Sequence, residues 1–277
     1  MKRMSVFQLF QFDFLVRAFE AGVILSIIAP LIGMFLVVRG YSLLADALAH
    51  MSLLGVALSL VFKIPVFIGA LIVSLLSVLG MERLRVGGRV YGEAVVALFL
   101  SSSLALSVVI IGAIEGLNVN LLSYLFGSLT TVGIVDVWIL AILALITTLF
   151  IFCFYRELFL FALNEDLARV SGARVQVINS GFIVLTAVMV AAALQMVGAL
   201  LVGALMVVPV LAAMQVGKGF RTTLFLSVFF SLFSFLVGFI LAYWLDLANA
   251  STIVIVAVML FTVLYFTRRF LKYIVFF

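Results

Sequence analysis

Asp46 and His50 stand four residues apart in the segment SLLADALAHMSLLG. On a helix that spacing puts a carboxylate and an imidazole on one face, roughly 6 Å apart along the axis. Together they offer an oxygen and a nitrogen donor, a set that suits Zn(II), Mn(II) or Fe(II), while the absence of thiolates argues against a Cu(I) route built on Cys. Two donors bind weakly and leave coordination positions open, which a transported ion needs more than a structural one does. A second copy related by a two-fold axis would supply a second pair. The same side chains serve as well as a hydrogen-bonded Asp–His pair that pins one helix to another, or as steps in a proton relay. Spacing leaves these three readings open.

The elements that must position the pair are dissolved in lipid. Of 277 residues, 68% are hydrophobic and 10% charged, where a soluble domain is about half apolar and a quarter charged. The mean hydropathy of +1.47 is spread along the whole length, which excludes a soluble enzyme with one anchor or a cleaved signal peptide. Apolar runs fall at 14–38, 42–62, 65–82, 93–114, 134–155, 175–195, 198–215, 222–245 and 251–267. Each is long enough to cross a bilayer as a helix. The sixth and seventh are separated only by the stretch from Gln195 to Gly198, so one of them reads equally as a half-helix. The expectation is an all-α polytopic membrane protein with eight or nine transmembrane helices, one domain over residues 1–277.

Charge orients the bundle. With nine spans, an outside N-terminus and an inside C-terminus, one side carries Arg39, Arg83, Arg85, Arg89, Arg156, Arg169, Arg174, Lys218, Arg221, Arg268, Arg269 and Lys272, twelve of the sixteen basic residues. The other keeps Lys2, Arg3, Arg17 and Lys63. Basic residues collect on the cytoplasmic side, so residues 156–174 are predicted inside and 115–133 outside. The net charge of +5 therefore reads as membrane topology, and no basic tract indicates nucleic acid. Cys153, the single cysteine, forms no internal disulfide and reads as a small packing residue. The first dozen residues suit a short interfacial helix or a frayed terminus.

Every ionisable residue within a span is a functional candidate, because burying it in hydrocarbon costs at least a few kcal/mol. Glu93 and Asp136 begin spans, where a carboxylate favours the helix N-terminus. Glu20 lies inside the first span, with Arg17 one turn earlier as its expected partner.

Two further segments carry information. In RELFLFALNEDLARVSGARV, Asn164 is a plausible N-cap, Glu165 and Asp166 fill a first turn, Arg169 lies near the end and Gly172 stops the helix. This short helix outside the bilayer is either a solvated connector or a docking surface for a soluble partner. In MVGALLVGALMVVPVLAAM, Ala199 and Gly203 are spaced four apart, which permits close helix approach, and Pro209 frees carbonyls and bends the span. That span is ordinary bundle packing or a flexible helix beside a pathway. No G-x-x-x-x-G-K-[ST] loop is present, so the chain does not hydrolyse ATP by that route, and a single His excludes the H-E-x-x-H chemistry.

The segments LVVRGYSLLADALAHMSLLGVALS, LLSYLFGSLTTVGIVDV, NEDLARVSG and MVGALLVGALMVVPVLAA, in this order, resemble the membrane permease subunits of ABC importers for zinc, manganese and iron. The resemblance covers most of the chain. It implies that Asp46 and His50 line the route of a transported Mn, Zn or Fe ion, with no permanently bound cofactor. It also implies that the loop at about 156–174, with Glu165, Ala168 and Gly172 on the family pattern, docks a cytoplasmic ABC ATPase subunit. The expected assembly is a homodimer in a bacterial or archaeal cell (inner) membrane, served by an extracytoplasmic metal-binding protein. The competing expectations are a proton-coupled secondary transporter using Asp46, His50 and Glu20, and a scaffold subunit whose polar pair is structural.

Overall fold

The computed structural model describes residues 13–86, 92–113, 127, 132–164, 168 and 175–275. Among them lie ten helices: α1 (Asp13–Val38), α2 (Leu44–Phe62), α3 (Val66–Val86), α4 (Gly92–Ala113), α5 (Ile134–Cys153), α6 (Tyr155–Leu163), α7 (Val175–Val197), α8 (Ala199–Val216), α9 (Phe220–Leu245) and α10 (Asn249–Val275). All but the nine-residue α6 are long and apolar enough to cross a membrane. The described residues therefore hold nine spans. The sixth and seventh are both full helices, divided at Gly198, whose φ of 87° breaks the backbone between them.

Helices α1, α2, α7 and α8 form the interior, and α4, α5 and α10 lie outside with most of their surface exposed. The outer helices present Leu98, Trp138, Leu145, Phe152 and Met259 to the surroundings, as a lipid-facing surface should. In lipid there is no hydrophobic drive between helices, so close packing and small residues hold the bundle. Gly33 on α1 touches the backbone of Met206 on α8, and Gly55 on α2 touches Gly69 and Ala70 on α3. The α2–α3 hairpin is pinned further by Ser52 and Ser74, whose hydroxyls share a 2.6 Å hydrogen bond. Pro30 and Pro209 lie inside α1 and α8, each within one turn of the Gly33–Met206 contact.

The joint between α1 and α2 is closed by hydrogen bonds. Gly40, at φ 75°, donates to the Val37 carbonyl at 3.0 Å, and Tyr41 donates to Leu36 at 2.9 Å. This double bond pattern after a left-handed residue stops a helix and satisfies its last carbonyls. Leu44 then donates to the Tyr41 carbonyl at 3.0 Å as α2 begins. A Cβ at position 40 would meet no neighbour, so Gly40→Ala isolates the backbone strain. It is expected to cost about 1 kcal/mol, read as a lower melting temperature in detergent, and an unchanged melting temperature would refute it.

Several expectations are corrected. Cys153 ends α5 exposed, because the helix turns its last residues outward instead of packing them. Residues 156–163, expected within the cytoplasmic loop, belong to α6, which Phe154 alone divides from α5. Glu20 lies on an exposed face of α1 and, among the described residues, forms no ion pair with Arg17. The proposed interfacial helix at the N-terminus, and most of the 115–133 connection, lie outside the described residues.

Candidate metal site

Asp46 occupies the first turn of α2 and His50 the next. Around them Ala45, Ala47, Leu48 and Ala49 are buried, while Asp46 and His50 are both half-buried. One face of α2 is thus polar and partly open within an otherwise apolar helix. The imidazole Nδ1 is buried without a hydrogen-bond partner. A buried polar atom left unpaired costs about 1–3 kcal/mol, and a ligand that reached it would recover that cost. No Asp46–His50 hydrogen bond forms, so the reading in which the two pin each other is not the arrangement found.

The wall opposite is α8. A Cβ on Gly203 would overlap Asp46 Oδ1, so the carboxylate lies directly against the α8 backbone in space that only glycine leaves. Ala199, one turn earlier, is buried at the start of α8, and Pro209 is buried further along. Among the described residues no third His, Cys, Asp or Glu joins the pair. Asp136 accepts a 2.9 Å hydrogen bond from the Gly133 N–H at the start of α5, and Glu93 lies in the first turn of α4. Both carboxylates sit at helix N-termini, where their charge is favourable.

The end of the bundle that carries α6 is built from aromatic rings. Tyr155 and Phe159 of α6 pack against Phe220 of α9, with centroids 6.0 and 4.8 Å away, and Phe35 of α1 meets Phe182, Tyr155 and Phe220. Asn164 ends α6 in an extended conformation, and its carbonyl accepts the Ala168 N–H at 3.2 Å. Ala168 itself is helical and buried. Glu165, Asp166, Arg169 and Gly172 lie outside the described residues.

Sequence reasoning missed a polar cluster beside this end. Glu82 binds Arg85 through two contacts, 2.9 and 2.7 Å, and accepts a 2.9 Å hydrogen bond from Asn179 on α7. Arg85 also donates to the Tyr41 hydroxyl at 3.3 Å. The i, i+3 spacing of Glu82 and Arg85 was a visible signal for the first of these contacts; the partners on other helices were not visible.

Among the described residues, nine membrane-long helices, one of which carries the half-buried Asp46 and His50, make this a multi-span helical membrane protein. The description of the ABC 3 transport family matches residues 11–268, and the chain belongs to that family. It is 30% identical over 259 residues to the manganese transport system membrane protein MntC of Halalkalibacterium halodurans, covering 94% of this chain and 89% of the relative. It is 27% identical over 258 residues to the high-affinity zinc uptake system membrane protein ZnuB of Haemophilus influenzae, covering 93% and 99%. Among solved structures it resembles PsaBC from Streptococcus pneumoniae in complex with Fab, with a TM-score of 0.83, 28% identity and coverage of 96% and 97% of the two chains.

Proposed function

We propose that the chain is the transmembrane permease of an ATP-driven importer for manganese or zinc, in a bacterial inner membrane. The same donor set admits iron. Two copies form the metal route, each presenting Asp46 and His50, so that four donors surround an ion that one copy alone holds weakly. The observation that supports this most is the pair itself: a half-buried carboxylate and an imidazole nitrogen without a partner, on a central helix of a chain whose relatives are named for manganese and zinc transport. The whole of residues 1–277 acts as one transmembrane domain, and separate cytoplasmic ATPase subunits dock on residues 156–174. Asn164, Glu165, Asp166, Arg169 and Gly172 form that docking surface, and the buried Ala168 supports it from beneath. An extracytoplasmic binding protein delivers the ion. ATP binding shifts the dimer between two access states in proportion to its differential contacts with each.

The test is the manganese, zinc and iron content of cells co-expressing the chain with its ATPase and binding protein, compared with His50→Ala at equal membrane abundance. One metal should accumulate in the wild type and fall to the empty-cell level in the variant. Equal accumulation in both would remove His50 from the route, and accumulation without the ATPase would point to proton coupling.

A further inference from the structure

Phe161 of α6 links the cytoplasmic segment to the joint that leads into α2. Its ring packs with Ala168 in a small apolar cluster separate from the main core. The Arg39 guanidinium carbon sits 4.2 Å from the centre of that ring and 5.3 Å from the centre of Tyr41. Tyr41 in turn has the Arg85 guanidinium 5.8 Å from its centre and, through Arg85, Glu82 and Asn179, is tied to α3 and α7. Arg39 therefore bridges two rings, one on each side of the boundary between the cytoplasmic segment and the membrane bundle.

Guanidinium-over-ring contacts depend on the ring quadrupole and gain strength when water is excluded, and Phe161 is buried. The other α6 aromatics pack further into the bundle: Tyr155 and Phe159 meet Phe220, and Tyr155 also meets Phe35 of α1. Phe161 instead faces a residue at the end of α1, and the hydrogen-bonded turn at Gly40 and Tyr41 connects that residue stiffly to α2. Asp46 follows Tyr41 by five residues. A displacement of the segment carrying Ala168 thus has a short, stiff path to the metal pair.

We infer that Arg39, held between the Phe161 and Tyr41 rings, is a positioning residue that transmits movement of the cytoplasmic segment to the start of α2. This rests on the reading that the segment docks an ATPase and that Asp46 and His50 line the metal route.

The experiment uses the full complex of permease, ATPase and binding protein in proteoliposomes, and reads ATP hydrolysis and metal uptake together. Phe161→Leu keeps an apolar side chain but removes the ring face, and Phe161→Trp strengthens that face. Phe161→Leu is expected to assemble and hydrolyse ATP while metal transported per ATP falls by about three- to tenfold, with Phe161→Trp at the wild-type ratio. A wild-type ratio in Phe161→Leu would overturn the inference, as would an equal loss in Phe161→Trp. Where Phe161→Leu fails to assemble, Tyr41→Leu removes the second ring without touching the docking segment. The same fall in ratio supports the relay, and an unchanged ratio overturns it. If the wild-type chain takes up metal without the ATPase, the underlying reading fails, and the relay with it.

Discussion

Gly203→Ala is expected to reduce metal uptake by about tenfold or more while leaving the helix intact. The added methyl would occupy the position of Asp46 Oδ1, and the carboxylate must rotate away. A loss of about 1.4 kcal/mol in its interaction with the ion is a tenfold loss of occupancy. The substitution itself favours the helix by about 1 kcal/mol, so loss of α8 is not the cause. Radioactive manganese or zinc uptake into proteoliposomes, normalised to folded protein, reads the effect. A cycle with Asp46→Ala identifies its origin: with the carboxylate gone, adding the methyl should lower uptake no further. Unchanged uptake in Gly203→Ala would remove α8 from the wall of the site.

The second large effect is structural. Gly33→Ala places a methyl on the backbone carbonyl of Met206, and a carbonyl in a helix cannot rotate aside as a side chain does. Helices α1 and α8 must separate, and overpacking of this kind costs about 1–3 kcal/mol. At about 2–4 °C per kcal/mol for a chain of this size, the melting temperature in detergent should fall by several degrees, with a loss of monodisperse protein. A wild-type melting temperature would mean that the two helices do not approach as described.

The spans were legible because each is a run of apolar residues long enough to cross a bilayer. The second run, expected at 42–62, is α2 at Leu44–Phe62, and the fifth, expected from 134, is α5 at Ile134–Cys153. Their arrangement was not legible. Helices α1 and α5 have the same hydropathy, 2.6, yet 67% of the first and 22% of the second lie buried. In water an apolar stripe tells which face turns inward, whereas in lipid both faces are apolar and the distinction disappears. The Asp46–His50 pair could be read from spacing because both members lie on one helix. The space left by Gly203, and the approach of Phe161 to Arg39 across more than a hundred residues, depend on tertiary packing. Helix α6 was missed because a single residue, Phe154, divides it from α5.

The pinned α2–α3 hairpin has a mechanical consequence. Asp46 stands sixteen residues from the end of α2 at Phe62, and Glu82 sixteen from the start of α3 at Val66. At 1.5 Å per residue each lies about 24 Å from the turn at Lys63–Pro65. Were that turn to act as a pivot, the hairpin would be a lever with Asp46 and the polar cluster at its far end. A rotation of about 5° sweeps both through roughly 2 Å, comparable with a whole metal–oxygen bond of about 2.0–2.2 Å. A tilt of a few degrees would be enough to carry Asp46 into or out of reach of an ion.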